Sequence, residues 1–410
     1  MDVEKKTFPR ELLLRSKEER FDYFKNKIIG HDRLLKVDEK LLHAFRYPSG
    51  ISLILVYGPT GVGKTTLRTR IEQKLLAMEM EAMLKDPGYL PVMSMEAIAA
   101  SSSYNWKEHF TRALVVAKEP LIDYKVDYEA HKMSQGRELL RRADRSELVL
   151  RRSLESCFRQ RRTKVFIIDE AQHLKRVGSG RRYLDQMDTI KSLAQATGTI
   201  HILIGTYELL DLTNLSAQLC RHSLEIHFSR YSNFDNTDRD AFASMLETFQ
   251  RYLPVAQAPD LLGLEGYLYD KTFGCIGVLK TLLNDALSMA LRSDAETITE
   301  EMLKESALPT RDLIEMSREI ADGEMALSET DEQLVELRTF LNTVPGSTTK
   351  SNEKGNTGAT ETSIQPSSRQ KQGDTKSKLE QTVAPKPKTN RRPGERNPTR
   401  DKIGRRRNAS

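Results

Sequence analysis

The run Gly58-Pro-Thr-Gly-Val-Gly-Lys-Thr65 constrains this chain more than any other stretch. It satisfies G-x-x-x-x-G-K-[ST] at every fixed position, which ordinary composition would produce about 0.01–0.02 times in a chain of this length. Its flanks agree with it. The apolar run Ile51-Ser-Leu-Ile-Leu-Val-Tyr57 reads as a buried strand ending at Gly58-Pro59, and the breaker-poor stretch from Lys64 to about Met83 reads as a helix. A strand, a glycine-rich turn and a helix N-terminus aim consecutive backbone N–H groups at one point, so the loop is expected to cradle phosphate. On that reading Gly58, Pro59, Thr60, Gly61, Val62, Gly63, Lys64, Thr65 and Thr66 bind nucleotide. Lys64 would neutralise the β- and γ-phosphates and the Thr65 hydroxyl would ligate Mg²⁺, so ATP and Mg²⁺ are the expected cofactors.

Further strands are expected at Leu90–Met95, Lys164–Ile168, Thr199–Ile204 and Leu224–Phe228, with helical stretches between them. That alternation predicts an α/β body with a parallel central sheet. Val165-Phe-Ile-Ile-Asp169-Glu170 places two carboxylates at the carboxyl end of one strand, the edge where such sheets bind ligands. Asp169 is expected to hold Mg²⁺ through water, and Glu170 to orient and polarise an attacking water. The next strand ends at Gly205-Thr206, and Thr206 is the candidate sensor of a γ-phosphate. Arg221, just before the last strand, is the candidate for reaching a neighbouring subunit's nucleotide, with Arg230 as its rival. From Thr237 to about Leu308 the pattern turns all-helical, a second, smaller domain in which Lys280 opens a helix and could contact phosphate.

The chain of 410 residues has a net charge of +6, but unevenly. Positions 343–410 hold 16 basic and 6 acidic residues, leaving 48 basic and 52 acidic for positions 1–342, a balance of −4. The tail has no aromatic residue and is rich in Ser, Thr, Pro, Lys and Arg, so it is expected to be disordered, with Arg391-Arg392 and Arg405–Arg407 free to tether DNA or a partner. A hydrophobic fraction of 38% excludes a wholly disordered chain. No apolar run approaches the roughly 18–20 residues of a membrane helix, so no membrane partner is expected. Cys157, Cys220 and Cys275 are odd in number and widely spaced, which fits small core residues in a reducing cytoplasm better than disulfides or a metal site. The expected divisions are a helical segment over 1–48, the nucleotide-binding domain over 49–234, a helical lid over 235–310, a C-terminal helix over 311–342 and the tail over 343–410.

Together these motifs resemble an AAA+ ATPase and, more narrowly, the TniB/TnsC family of transposition regulators. The resemblance covers roughly Lys25 to Leu308. It rests on the P-loop, Pro91–Ala97 with Tyr104–Phe110, Ile168-Asp-Glu-Ala-Gln-His-Leu174, Ile204–Leu210, Gln218–Arg221 and Gly274-Cys-Ile-Gly-Val-Leu-Lys280. It implies a bacterial, ATP-dependent oligomer, a ring or filament on double-stranded DNA, that links a target-selector protein to a transposase. Lys107 and the pair Arg141-Arg142 would line the DNA channel and contact phosphates without reading sequence. The chain departs from the family pattern at His222, where a second basic residue is frequent, and at Lys280, where AAA+ proteins often carry arginine. An origin-remodelling or helicase-loading ATPase would share the phosphate-site residues, as would a signalling NTPase that binds no DNA.

Overall fold

The computed structural model describes residues 7–48, 50–98, 104–125, 147–175, 181–213, 223–328, 334–336 and 338–340. Arg141, Arg142, Cys220, Arg221 and the basic tail lie outside the described residues. The described residues up to 336 belong to one compact unit.

Two N-terminal helices, α1 (Lys17–Asn26) and α2 (Asp32–Arg46), lead into β1 (Leu53–Tyr57) and α3 (Lys64–Lys85). There follow β2 (Val92–Glu96), α4 (Trp106–Val116), α5 (Glu147–Gln160), β3 (Val165–Asp169), α6 (Arg181–Thr197), β4 (Ile200–Gly205), α7 (Leu210–Thr213) and β5 (Ser223–His227). All five strands are parallel, in the order β2-β3-β4-β1-β5, as the alternation of apolar runs and helices predicts. Each expected strand is present with its bounds displaced by at most two residues.

Alternation along the strands builds two cores. Leu53, Leu55, Phe166, Ile168 and Leu203 face α4, α5 and α6, whereas Ile54, Val56, Ile167, Ile202 and Ile204 face α2 and α3. A sheet covered on both sides needs strands that are apolar throughout, which is why they are legible as runs rather than as a period of two. Buried Asp38 of α2 accepts from Arg70 Nε of α3 at 2.9 Å and from Lys74 Nζ, which fixes these two covering helices to each other.

The all-helical region comprises α8 (Asn236–Tyr252), α9 (Glu265–Thr272), α10 (Ile276–Arg292) and α11 (Glu300–Glu305), closed around a third core of Phe242, Leu246, Leu279, Leu283 and Leu287. Phe24 of α1 is fully buried in this core. The N-terminal stretch expected as one segment therefore serves two bodies: α1 packs with the helical region, and α2 packs on the sheet. The last long helix is α12 (Thr310–Leu327), and residues 334–336 and 338–340 beyond it are also helical. No single helix among the described residues is long and apolar enough to cross a membrane.

Candidate functional site

The carboxyl ends of β1, β3 and β4 are neighbours at one edge of the sheet, so three motifs far apart in sequence meet there. β1 delivers Gly58. A side chain at that position would collide with the Phe228 carbonyl at the end of β5, so only glycine lets the loop leave the sheet here. Gly61 and Gly63 have φ of +77° and +112°, the left-handed region that side chains avoid. Gly63 is the N-cap of α3 and supplies no capping side chain, so the first N–H groups of that helix stay open to an outside acceptor.

One N–H of the loop itself already meets an acceptor from within the chain. Glu319 Oε1, on α12, takes the Thr60 N–H at 3.0 Å. A carboxylate oxygen there stands in for an anionic oxygen such as a phosphate's, and the loop accommodates it. Lys64 is buried and donates to the Gly58 and Pro59 carbonyls at 3.0 and 2.9 Å. Burial lowers the pKa of its ammonium, against the opposing pull of Glu319, Glu170 and Asp169. Thr65 is exposed at the start of α3.

Asp169 ends β3 and is 2% exposed. Its Oδ1 accepts the Glu170 N–H at 3.0 Å, and Arg68 Nε stands 3.5 Å from its Oδ2. Burial raises its carboxyl pKa, while the Glu170 N–H and Arg68 act in the other direction. Glu170 itself has φ of +53°, unusual for a residue with a side chain and costing roughly 1–2 kcal/mol. Its Oε2 accepts Gln172 Nε2 at 2.5 Å, and Gln172 Oε1 accepts the Thr206 N–H at 3.2 Å. The Thr206 hydroxyl oxygen is buried and has no hydrogen-bond partner among the described residues.

The P-loop, Asp169, Glu170 and Thr206 are thus gathered at one edge. Lys280 is placed differently: its ammonium donates to the Phe24 carbonyl and sits 3.4 Å from the Phe24 ring centroid. Burial lowers its pKa to about 7. It lines a hollow of about 120 Å³ beside Val62, Gly63 and Thr66, but a phosphate contact requires it to leave Phe24. Arg230 is held by both oxygens of Glu324 at 2.8 and 2.9 Å, so in this conformation it does not offer itself to a neighbouring subunit. Lys107 is exposed on α4.

Sequence reasoning missed Arg68, Gln172 and Glu319. Arg68 follows Lys64 by four residues, the spacing that places two side chains on one helix face, so the signal for it existed. Among the described residues no cluster of three or more His, Cys, Asp or Glu could hold a metal. Thr65 and Asp169 still suit a Mg²⁺ ion that draws its other ligands from phosphate and water.

Residues 49–213 match a family model described as an AAA domain. The fold is α/β, a five-stranded parallel sheet with the P-loop between β1 and α3. The chain is also similar to the Aeropyrum pernix ORC2 protein in its ADP form, with 13% identity and a TM-score of 0.47 over 79% of this chain and 89% of that one. It is similar to the ORC1 protein of the same organism in complex with DNA (18% identity, TM-score 0.47, 73% of this chain and 70% of that one). A third similar structure is the Walker-type ATPase PABY2304 of Pyrococcus abyssi (17% identity, TM-score 0.42, 76% of each chain). No curated protein sequence matches the chain.

Proposed function

We propose that this protein is an ATP-hydrolysing switch that assembles on double-stranded DNA and regulates transposition. The observation that carries the ATPase part is the meeting of P-loop, Asp169, Glu170 and Thr206 at one edge of the sheet. The open N–H groups of the loop and Lys64 bind and orient the phosphates. Bound Mg²⁺, held by Thr65 and by Asp169 through water, would supply charge neutralisation on the phosphate oxygens. Glu170 accepts a hydrogen bond from the attacking water and takes its proton as the new oxygen–phosphorus bond forms, and ADP leaves with the electron pair of the bond that breaks. Thr206, with its unsatisfied hydroxyl, is suited to sense whether the γ-phosphate is present.

The transposition part is supported by the sequence segments that resemble the TniB/TnsC family, chiefly Asp169-Glu-Ala-Gln-His-Leu174 and Gly274-Cys-Ile-Gly-Val-Leu-Lys280. In this reading ATP orders a ring or filament that joins a target selector to a transposase, Arg221 acts across a subunit boundary, and hydrolysis resets the assembly. Lys107 with Arg141 and Arg142 would face the DNA, and the balance of −4 over positions 1–342 means that assembly must gather such local positive charge. An origin-recognition or helicase-loading ATPase is the second reading. It is supported by the same phosphate site and assigns a replication partner instead.

Electron microscopy with duplex DNA and a non-hydrolysable ATP analogue tests the switch. Rings or filaments on DNA should appear with the analogue and vanish with ADP, whereas assembly indifferent to nucleotide sinks the idea. Co-purification then separates the two readings: a transposase retained in an ATP-dependent manner favours the first, and a replicative helicase the second.

A further inference from the structure

We propose that Gln172 is the positioning residue that couples Glu170 to the γ-phosphate sensor strand, an inference that rests on the ATPase reading. The Gln172 side chain is buried in the short turn after β3, and both ends of its amide are used. Nε2 donates to the Glu170 carboxylate at 2.5 Å, and Oε1 accepts the Thr206 N–H at 3.2 Å. A carboxylate can only accept and a backbone N–H can only donate, so the orientation of the amide is dictated by its two partners. Gly205 completes the arrangement. A side chain at that position would run into Gln172 Oε1, the Gln172 backbone nitrogen and Leu209, so the amide reaches Thr206 only because β4 ends in glycine.

The consequence is a single bridge between the residue that orients water and the strand end that carries Thr206. A shift of Thr206 toward a γ-phosphate pulls on Oε1, and the same rigid amide moves the carboxylate of Glu170. Glu170 also sits in a backbone conformation that a side chain avoids, so its direction is set by outside contacts rather than by local preference.

Gln172→Met keeps the length and volume of the side chain and removes both hydrogen bonds. Steady-state ATPase kinetics should show kcat falling on the order of 10–100-fold, with KM and the melting temperature nearly unchanged, because only alignment in the transition state is lost. Gln172→Asn, which keeps the amide but shortens its reach, should not restore kcat. Full kcat in Gln172→Met overturns the coupling, and so does a matched rise in KM with a lowered melting temperature. Glu170→Gln serves as the control. If it is inactive while Gln172→Met is fully active, the coupling fails and the ATPase reading stands. If the unsubstituted protein hydrolyses no ATP with or without duplex DNA, both fail.

A different set of contacts carries a second inference. The geometry points to α12 as a built-in occupant of the phosphate loop, which nucleotide must displace. Glu319 holds the Thr60 N–H, and three further contacts fix the helix that bears it. Met316 and Ile320 pack on Cys275 with Phe273 and Val278, Gly323 lets α12 lie directly on the Tyr207 ring, and Glu324 holds Arg230. A carboxylate and a phosphate compete for the same donor, so apparent affinity is scaled down to the fraction of molecules whose loop is free of Glu319. Glu319→Ala, which removes the acceptor together with the charge, should therefore bind a fluorescent ADP analogue about 3–10-fold more tightly. Loss of charge repulsion alone would produce the same sign, so hydrogen exchange decides. Adding ADP to the unsubstituted protein should lower the protection of 310–327, and unchanged or increased protection there overturns the displacement. Failure of any form to bind the analogue sinks the nucleotide site itself.

Discussion

Lys64→Ala should abolish measurable nucleotide binding at micromolar concentrations. Removing one partner of a buried charge pair costs about 2–5 kcal/mol, and each 1.4 kcal/mol is about tenfold in affinity, so a loss of roughly 30- to several-thousand-fold is expected. The structure adds a second effect. Lys64 Nζ is the donor to the Gly58 and Pro59 carbonyls, so its loss also frees the backbone that shapes the loop. Isothermal titration with ADP checks the affinity, and micrographs with DNA check that assembly is lost with it. Binding within a few-fold of the unsubstituted protein would remove Lys64 from the phosphate site.

Glu170→Gln should separate binding from turnover. The substitution preserves shape and leaves the P-loop untouched, so nucleotide affinity should stay within a few-fold, while hydrolysis falls by about 10²–10⁴ because the water loses its proton acceptor. On the proposed function, DNA-bound assemblies should then persist for far longer with ATP present, since hydrolysis is the step proposed to reset them. Single-turnover hydrolysis and the lifetime of filaments after removal of free nucleotide read the two effects separately. Normal hydrolysis would mean that another group orients the water.

Much of this site was legible because its determinants are local. The P-loop is eight consecutive residues whose spacing alone implies its turns, and Asp169-Glu170 announces itself by ending an apolar run. The five strands were readable because burial on both faces makes them apolar throughout. What escaped depends on the fold. Gln172 gains its role only because β3 and β4 are neighbours, which no single stretch encodes. Glu319 meets Thr60 from 259 positions away. Lys280 reads as a lid residue at a helix start, but the position of α1 is not legible in the sequence, and Phe24 of α1 is what engages its ammonium. Only Phe24 of α1 is buried, so that helix carries almost no apolar pattern to reveal its partner.

The contact between the loop and α10 has a mechanical meaning. The Val278 N–H donates to the Gly61 carbonyl at 3.1 Å, and any side chain at position 277 would strike that same carbonyl. The first turn of α10 is therefore pinned to the phosphate loop like the short arm of a lever. α10 has 17 residues, so at 1.5 Å per residue its far end lies about 25 Å away. A tilt of about 10° at the loop moves that end by roughly 4 Å. Because α10 runs through the core of the helical region, its neighbours travel with it. A small tilt imposed at Gly61 would thus be read out as a shift of several ångströms at the far side of the helical region.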